Sequence, residues 1–208
     1  MKRALLLIAI CLSLPLAAFA DSSTDFTNSG GLLLGSNAGL DLTGSTINSF
    51  SGWNNGGTFH GDFGTISLTT GALLSGSLKN GGTFAAGGTF TISGDGAAGL
   101  PNGTIFSGTF SSPVTWTMTT LANGSHQYTL TGTLSGTLYA SSGNESVTGV
   151  TTSLTFNTGW GYFYGLGLGS NGTTTINSVA VPEPSTLGFL GMGLIGVTGL
   201  VRRRTKLA

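Results

Sequence analysis

This chain of 208 residues has a single cysteine, Cys11, which lies in an apolar run near the N-terminus. The residues after it contain no thiol, which excludes disulfides, thiolate zinc sites and cysteine nucleophiles there. Charge is also scarce. Residues 21–181 contain six carboxylates and a single cation, Lys79, for a net charge of −5. With one cation there is no basic patch to neutralise phosphates, so nucleic-acid binding is excluded.

Histidine is rare as well, with His60 and His126 far apart in the sequence. On a strand, His60 and Asp62 would share one face and could recruit His126 to a metal, but such residues are more often solvated turn positions. The segment 167–172 matches Gly-x-Gly-x-x-Gly, yet threonines follow it where a dinucleotide site needs a helix. A lone Asp95 among glycines makes a poor calcium site. We expect no metal and no cofactor.

The N-terminus has the pattern of a secretory signal peptide. Two basic residues precede an apolar run over 4–16, and Ala18 and Ala20 are the small residues that a signal peptidase reads. The sequence therefore predicts a signal peptide over 1–20, cleaved after Ala20, and an exported protein. A lipoprotein site at Cys11 is disfavoured because Ile10 stands where a small residue is needed.

The C-terminal segment 181–208 has three parts. A proline-rich motif over 181–186 precedes an uncharged apolar stretch over 187–201 and a basic tail over 202–208. Fifteen helical residues span roughly 22 Å, somewhat less than the roughly 30 Å hydrocarbon core of a bilayer. We predict one short transmembrane helix over 187–201, with the basic residues held in the cytoplasm as a stop signal. The motif residues are Val181, Pro182, Glu183 and Pro184, and the basic residues are Arg202, Arg203, Arg204 and Lys206.

This order of a Pro-Glu-Pro motif, an apolar helix and a basic tail resembles the PEP-CTERM sorting signal of Gram-negative bacteria. The resemblance covers residues 181–208 only. It implies that exosortase, a membrane enzyme, cuts near the motif and passes the protein from the inner membrane to the cell envelope or the exterior. The alternative is a permanent membrane anchor that is never cut.

The exported domain, residues 21–180, shows the two-residue alternation of half-buried strands, without a helical period. Residues 128–138 alternate longest, and Asn123-Gly124 predicts a hairpin between them and 114–121. Only irregular segments and one or two short strands are expected before residue 57. The other predicted strands are 65–69, 89–93, 104–110, 147–156, 159–168 and 173–179.

Strands of this spacing with Gly, Asn and Ser turns predict an all-β body, either an antiparallel β-sandwich or a barrel-like fold. The Thr-rich outer faces lack the lysines that commonly protect sheet edges, so self-association is open to this protein. A barrel would bind a small ligand only if its side chains left the interior unfilled.

The aromatic cluster of residues 160–164 allows two arrangements. In a strand, Trp160, Tyr162 and Tyr164 share one face and Phe163 lies on the other. If Phe163 is buried, the other three rings point outward and can contact a glycan or a protein. We expect the reverse, with the Trp and Tyr face in the core.

No constellation of catalytic residues stands out in the sequence, so we expect a non-enzymatic surface or extracellular-matrix protein with an adhesive or structural role. The resemblance of the tail implies an association with exopolysaccharide. The alternatives are a glycan-binding β-sandwich or a carbohydrate-active hydrolase. A hydrolase would need two carboxylates facing each other, drawn from Asp41, Asp62, Asp95 and Glu145.

Overall fold

The computed structural model describes residues 22–140 and 143–178, and residues Ser23–Ser178 form one compact unit. The predicted signal peptide (1–20) and sorting signal (181–208), including the predicted membrane helix over 187–201, lie outside the described residues. Within the described ranges, no helix has the length and apolar character needed to cross a membrane.

Twelve β-strands account for most of the described chain. Two short 3₁₀ turns, Trp53–Asn55 and Ala97–Gly99, interrupt the connections. The strands are β1 (Ser22–Ser36), β2 (Gly39–Ser51), β3 (Phe59–His60), β4 (Gly64–Thr69), β5 (Leu73–Ser77), β6 (Gly81–Phe84), β7 (Gly87–Asp95), β8 (Asn102–Phe110), β9 (Val114–Thr120), β10 (His126–Ala140), β11 (Gly143–Gly159) and β12 (Leu166–Ser178).

Eight of these strands close into an antiparallel barrel, in the order β11, β12, β1, β2, β4, β7, β8 and β10, with β10 pairing back to β11. The seam between β1 and β12 joins the two ends of the described chain. There the Gly35 N–H donates to the Gly165 carbonyl over 2.9 Å, and the Thr175 hydroxyl donates to Asp25 over 2.6 Å. The all-β prediction is confirmed, and the body is a barrel rather than a sandwich.

The barrel is extended at one end by β5, β6 and β9. Strand β9 pairs with the first part of β10, β6 pairs with β9, and β5 pairs with β6 alone. The turns 37–38, 78–80, 121–125 and 160–165 lie at this end, which we call the tip end. Ser22 and Ser178 lie at the opposite, terminal end. Because β5 has a neighbour on one side only, it is an edge strand, and self-association through it stays a prediction.

Alternation along the strands separates the interior from the surface. In β10, the side chains of Tyr128, Leu130, Leu134 and Leu138 are buried, while Thr131 between them is exposed. The other barrel strands repeat this arrangement, so a continuous core of Phe, Leu, Ile, Val and Trp side chains occupies the interior. The hydrophobic effect of burying these side chains is the main driving force for closing the barrel.

The expectation of only short strands before residue 57 is wrong, since β1 and β2 are among the longer strands. Gly30 and Gly31 have positive φ angles of 79° and 92° in the middle of β1, and the β1–β2 register shifts between Thr27 and Asn28. Such irregularities interrupt the two-residue alternation without ending the strand. The sequence pattern therefore predicts only short segments where the backbone forms one continuous strand.

The predicted hairpin at Asn123-Gly124 is confirmed, because β9 and β10 pair antiparallel on either side of it. Gly124 has a φ of 80°, and its N–H donates to the Leu121 carbonyl over 2.8 Å. The Asn123 side-chain oxygen accepts the Ser125 N–H over 3.0 Å. The two-residue loop that Asn-Gly most often forms needs a positive φ at both residues. Here only Gly124 has a positive φ, and the connection is a longer turn.

Replacing Gly124 with proline is expected to destabilise the protein by more than about 1 kcal/mol. Proline fixes φ near −65° and has no N–H, so it can neither adopt the observed angle nor donate to Leu121. Urea unfolding of both proteins measures the change. Gly57→Ala is the matched control, because a Cβ there meets no atom within 4 Å. An unchanged midpoint for the proline variant would contradict the role of this turn.

Candidate functional site

The aromatic cluster predicted from the sequence lies on the turn 160–165 at the tip end. The predicted strand over 159–168 is wrong here, since β11 ends at Gly159 and β12 begins at Leu166. The expected orientation is also reversed. Phe163 is fully buried, whereas Trp160 is 81% exposed and Tyr164 72% exposed, with Tyr162 at 38%.

Phe163 anchors the turn in the core. Its ring centroid lies 5.4 Å from that of Trp116 and 5.9 Å from that of Tyr128, in tilted or edge contacts. Glycines make room for the ring, because a Cβ on Gly35 would lie 2.8 Å from it and one on Gly167 would lie 3.2 Å away. The turn is therefore held by packing from below while its other aromatic rings stay at the surface.

Tyr128 ties the turn to the rest of the tip end. Its hydroxyl donates to the Lys79 carbonyl over 2.6 Å and accepts the Phe163 N–H over 3.1 Å. Burial raises the pKa of the Tyr128 phenol, partly opposed by the hydrogen bond from Phe163. The phenol thus stays protonated at neutral pH, as its role as donor to Lys79 requires.

Tyr162 is held in place by two neighbours. The His126 ring stacks on it with centroids 4.2 Å apart and planes at 19°, and the Lys79 ammonium lies 4.2 Å from its centroid. The His126 side chain is itself buried, with Nδ1 3.2 Å from the Thr120 hydroxyl. Tyr164 meets Tyr162 edge-on with centroids 6.4 Å apart. These contacts restrict the rotamers of Tyr162 before any ligand binds.

Trp160 lies over the hairpin turn at Gly124. A Cβ at Gly124 would come within 3.0 Å of the indole, so the glycine leaves space for the ring. The backbone beside it is fixed by the Thr158 hydroxyl, which donates to the Gly161 carbonyl over 2.6 Å. We call Trp160, Tyr162, Tyr164 and Lys79 the aromatic tip. It presents one cation and three rings on turns that are braced from below.

The described surface also includes the following two grooves. One, of about 510 Å³, crosses β9, β10, β11 and β12 and is lined mainly by threonine and serine, including Thr115, Thr131 and Ser153. The other, of about 320 Å³, is lined by Trp53, Tyr139 and nearby residues. Neither groove is lined by a carboxylate or a histidine.

Of the four candidate carboxylates, Asp41 alone lies away from the terminal end. Asp62, just before β4, and Asp95, the last residue of β7, are neighbours there, and the Asp95 N–H donates to the Phe63 carbonyl over 3.1 Å. Each carboxylate accepts a backbone N–H two residues further on, from Gly64 and Ala97 respectively. Asp41 is on β2 and Glu145 is at the start of β11. Asp62 and Asp95 are therefore turn-stabilising residues in adjacent loops.

The histidines do not meet. His60 pairs with Ser49 near the terminal end, while His126 begins β10 at the tip end, so His60, Asp62 and His126 cannot share a metal. In the part of the chain that the structure describes, no three His, Cys, Asp or Glu side chains are clustered for metal binding.

Comparison with known families gives one match. Residues 180–204 match the PEP-CTERM protein-sorting motif, which confirms the resemblance of the tail. The motif implies export, sorting at a membrane and processing by exosortase. Comparison with curated proteins gives no match, and comparison with solved structures gives none either.

Several predicted residues lie outside the described ranges, so their roles stay predictions. These are Ala18, Ala20, Val181, Pro182, Glu183, Pro184, Arg202, Arg203, Arg204 and Lys206.

The sequence did not predict that Lys79 belongs to the aromatic tip or that His126 stacks on it. The sequence feature that could have pointed to Lys79 is that it is the one cation between residues 21 and 181.

Proposed function

We propose that this protein is a non-enzymatic component of the cell surface or extracellular matrix, and that it contacts exopolysaccharide through its aromatic tip. The sorting motif carries the delivery part of the proposal. The contact part is supported mainly by the exposure of Trp160 and Tyr164 on a turn fixed by buried Phe163. Aromatic rings with exposed faces offer large contact area to the apolar faces of sugars.

Rigidity strengthens this proposal. Ordering a free side chain on binding costs about 0.5–1.5 kcal/mol, and the contacts of Tyr162 with His126 and Lys79 are already made in the free protein. Tyr162 and Lys79 therefore lose little further side-chain freedom when a ligand binds. Monomeric proteins rarely expose such rings together without a use for them.

A non-enzymatic role is supported by the chemistry of the described surface. The aromatic tip has no carboxylate among its members, and the two grooves have none in their linings. Glycoside hydrolysis ordinarily needs a pair of carboxyl groups on either side of the scissile bond. Asp62 and Asp95, the two that lie in adjacent loops, each accept a backbone hydrogen bond in their own turn.

Replacing Trp160 with alanine is expected to weaken binding to the host's exopolysaccharide by about 5- to 150-fold, since one aromatic stacking contact contributes on the order of 1–3 kcal/mol in comparable platforms. Full-length protein in detergent micelles, titrated with the purified polysaccharide, measures the change. Leu74→Ala is the matched control, because Leu74 is also largely exposed but lies on β5. Equal affinity of the Trp160 variant and the native protein would refute the proposed contact.

A further inference from the structure

The single cation of the described chain is placed within the aromatic tip. In residues 22–140 and 143–178, Lys79 is the only lysine or arginine. Four of the five carboxylates in the same ranges, Asp25, Asp62, Asp95 and Glu145, belong to strand ends and turns at the terminal end. The fifth, Asp41, lies on β2 near the tip end. Most of the negative charge is therefore at the terminal end, and the one positive charge lies beside the exposed rings.

Lys79 is also held in position. Its carbonyl accepts the Tyr128 hydroxyl over 2.6 Å, which fixes the turn 78–80, and its ammonium lies 4.2 Å from the Tyr162 centroid. The negative face of an aromatic ring attracts an ammonium group. Tyr162 is in turn stacked on buried His126, so the ring that the ammonium contacts is itself supported by the core.

We propose that the aromatic tip selects polysaccharides whose sugars carry carboxylate groups. This inference rests on the proposed function and specifies its ligand. Trp160 and Tyr164 stack on sugar faces, and the Lys79 ammonium pairs with a sugar carboxylate.

A neutral glycan offers this ammonium only hydroxyl oxygens, which replace its water without adding a net attraction. A carboxylate adds a charge-assisted hydrogen bond, which is stronger than a hydrogen bond to a neutral acceptor. A polyphosphate chain is a poorer ligand, because it has no sugar faces on which Trp160 and Tyr164 can stack.

The test compares two polymers with the same sugar backbone, polygalacturonate and its fully methyl-esterified form, in which an uncharged methyl ester replaces each carboxylate. Full-length protein in neutral detergent micelles is titrated with each polymer at low and at high salt. We expect the acid form to bind on the order of fivefold more tightly at low salt, as for a single exposed ion pair. We also expect this preference to shrink at high salt, because salt screens exposed charges.

Two substitutions of Lys79 make the test specific. Lys79→Met keeps the apolar stem and the backbone carbonyl, and is expected to abolish the preference for the acid form while leaving affinity for the ester unchanged. Lys79→Arg keeps the charge, and is expected to retain the preference.

The remaining outcomes separate the inference from the proposed function. If both polymers bind equally and Trp160→Ala abolishes both interactions, the charge selection is wrong but the glycan contact stands. If neither polymer binds, the proposed glycan contact and the proposed charge selection are both wrong for this class of glycan. If the acid form binds equally to native protein and Trp160→Ala, the contact lies elsewhere and the inference is overturned.

Discussion

Replacing Phe163 with alanine is expected to lower the free energy of unfolding by about 3–5 kcal/mol, the usual loss for a buried phenylalanine. The ring is fully buried against Trp116 and Tyr128, and its contacts close the tip end of the barrel. Its removal leaves a cavity that the facing glycines, Gly35 and Gly167, cannot fill. Since domains are typically stable by only 5–15 kcal/mol, this single change removes a large share of the total. Urea unfolding measures it.

Trp160→Ala is the natural control, because this neighbouring ring is 81% exposed. A surface substitution of that kind is expected to change stability by no more than about 0.5 kcal/mol. The two substitutions should therefore separate stability from binding, with Phe163 governing the first and Trp160 the second. Similar losses of stability from both variants would show that the turn is held differently from the packing described above.

Replacing Glu183 with alanine is expected to abolish processing of the sorting signal. From the sequence we expect Pro182 and Pro184 to favour an extended motif, because proline and the residue before it disfavour the helical conformation. Glu183 supplies the only charge between them, available to a cationic group on the processing enzyme. The substitution leaves the apolar stretch over 187–201 and the basic residues after it intact. Native protein should lose its tail in a host that contains exosortase, whereas Glu183→Ala should accumulate at full length in the inner membrane.

Mass spectrometry of the C-terminus, together with membrane fractionation, distinguishes these results. Ser185→Ala, which alters the same segment without removing a charge, is expected to be processed normally. Native protein that still ends at Ala208 in the membrane fraction would favour the permanent anchor over the sorting signal.

The strands that sequence analysis identified are those whose alternation is uninterrupted. In β10, eleven residues from Tyr128 to Leu138 alternate, and the barrel buries the apolar members of that series. In β1, the adjacent Gly30 and Gly31 interrupt the pattern, while hydrogen bonds to neighbouring strands maintain the backbone. Local periodicity therefore predicts the regular strands, and tertiary pairing determines where the irregular ones continue.

The aromatic tip was predicted only in part. The alternation of residues 160–164 correctly groups Trp160, Tyr162 and Tyr164 against Phe163, but it contains no information on which side faces the core. That choice depends on Gly35 of β1, Trp116 of β9 and Tyr128 of β10, which together form the space for Phe163. The position of Lys79 beside Tyr162 likewise depends on contacts between distant turns.

The pairing of β1 with β12 can form only late in the biogenesis of this protein. The hydrogen bond from Thr175 to Asp25 joins residues 150 apart in sequence. Pairing over such separations carries a loop-closure cost and is slow to form. If β1 crosses the membrane first, the edge that pairs with β12 has no partner until β12 has also crossed. The barrel therefore cannot close until the chain has been translocated as far as the end of β12 at Ser178.

At that moment only residues 179–186 separate the last strand from the predicted membrane segment. Completion of the barrel and arrival of the sorting signal thus belong to the same stage of export. A chain that ended before β12 would lack the sorting signal and would also leave the long edge of β1 open. Open edges are templates for pairing with other chains, so unfinished molecules would tend to aggregate at the site of translocation instead of being delivered.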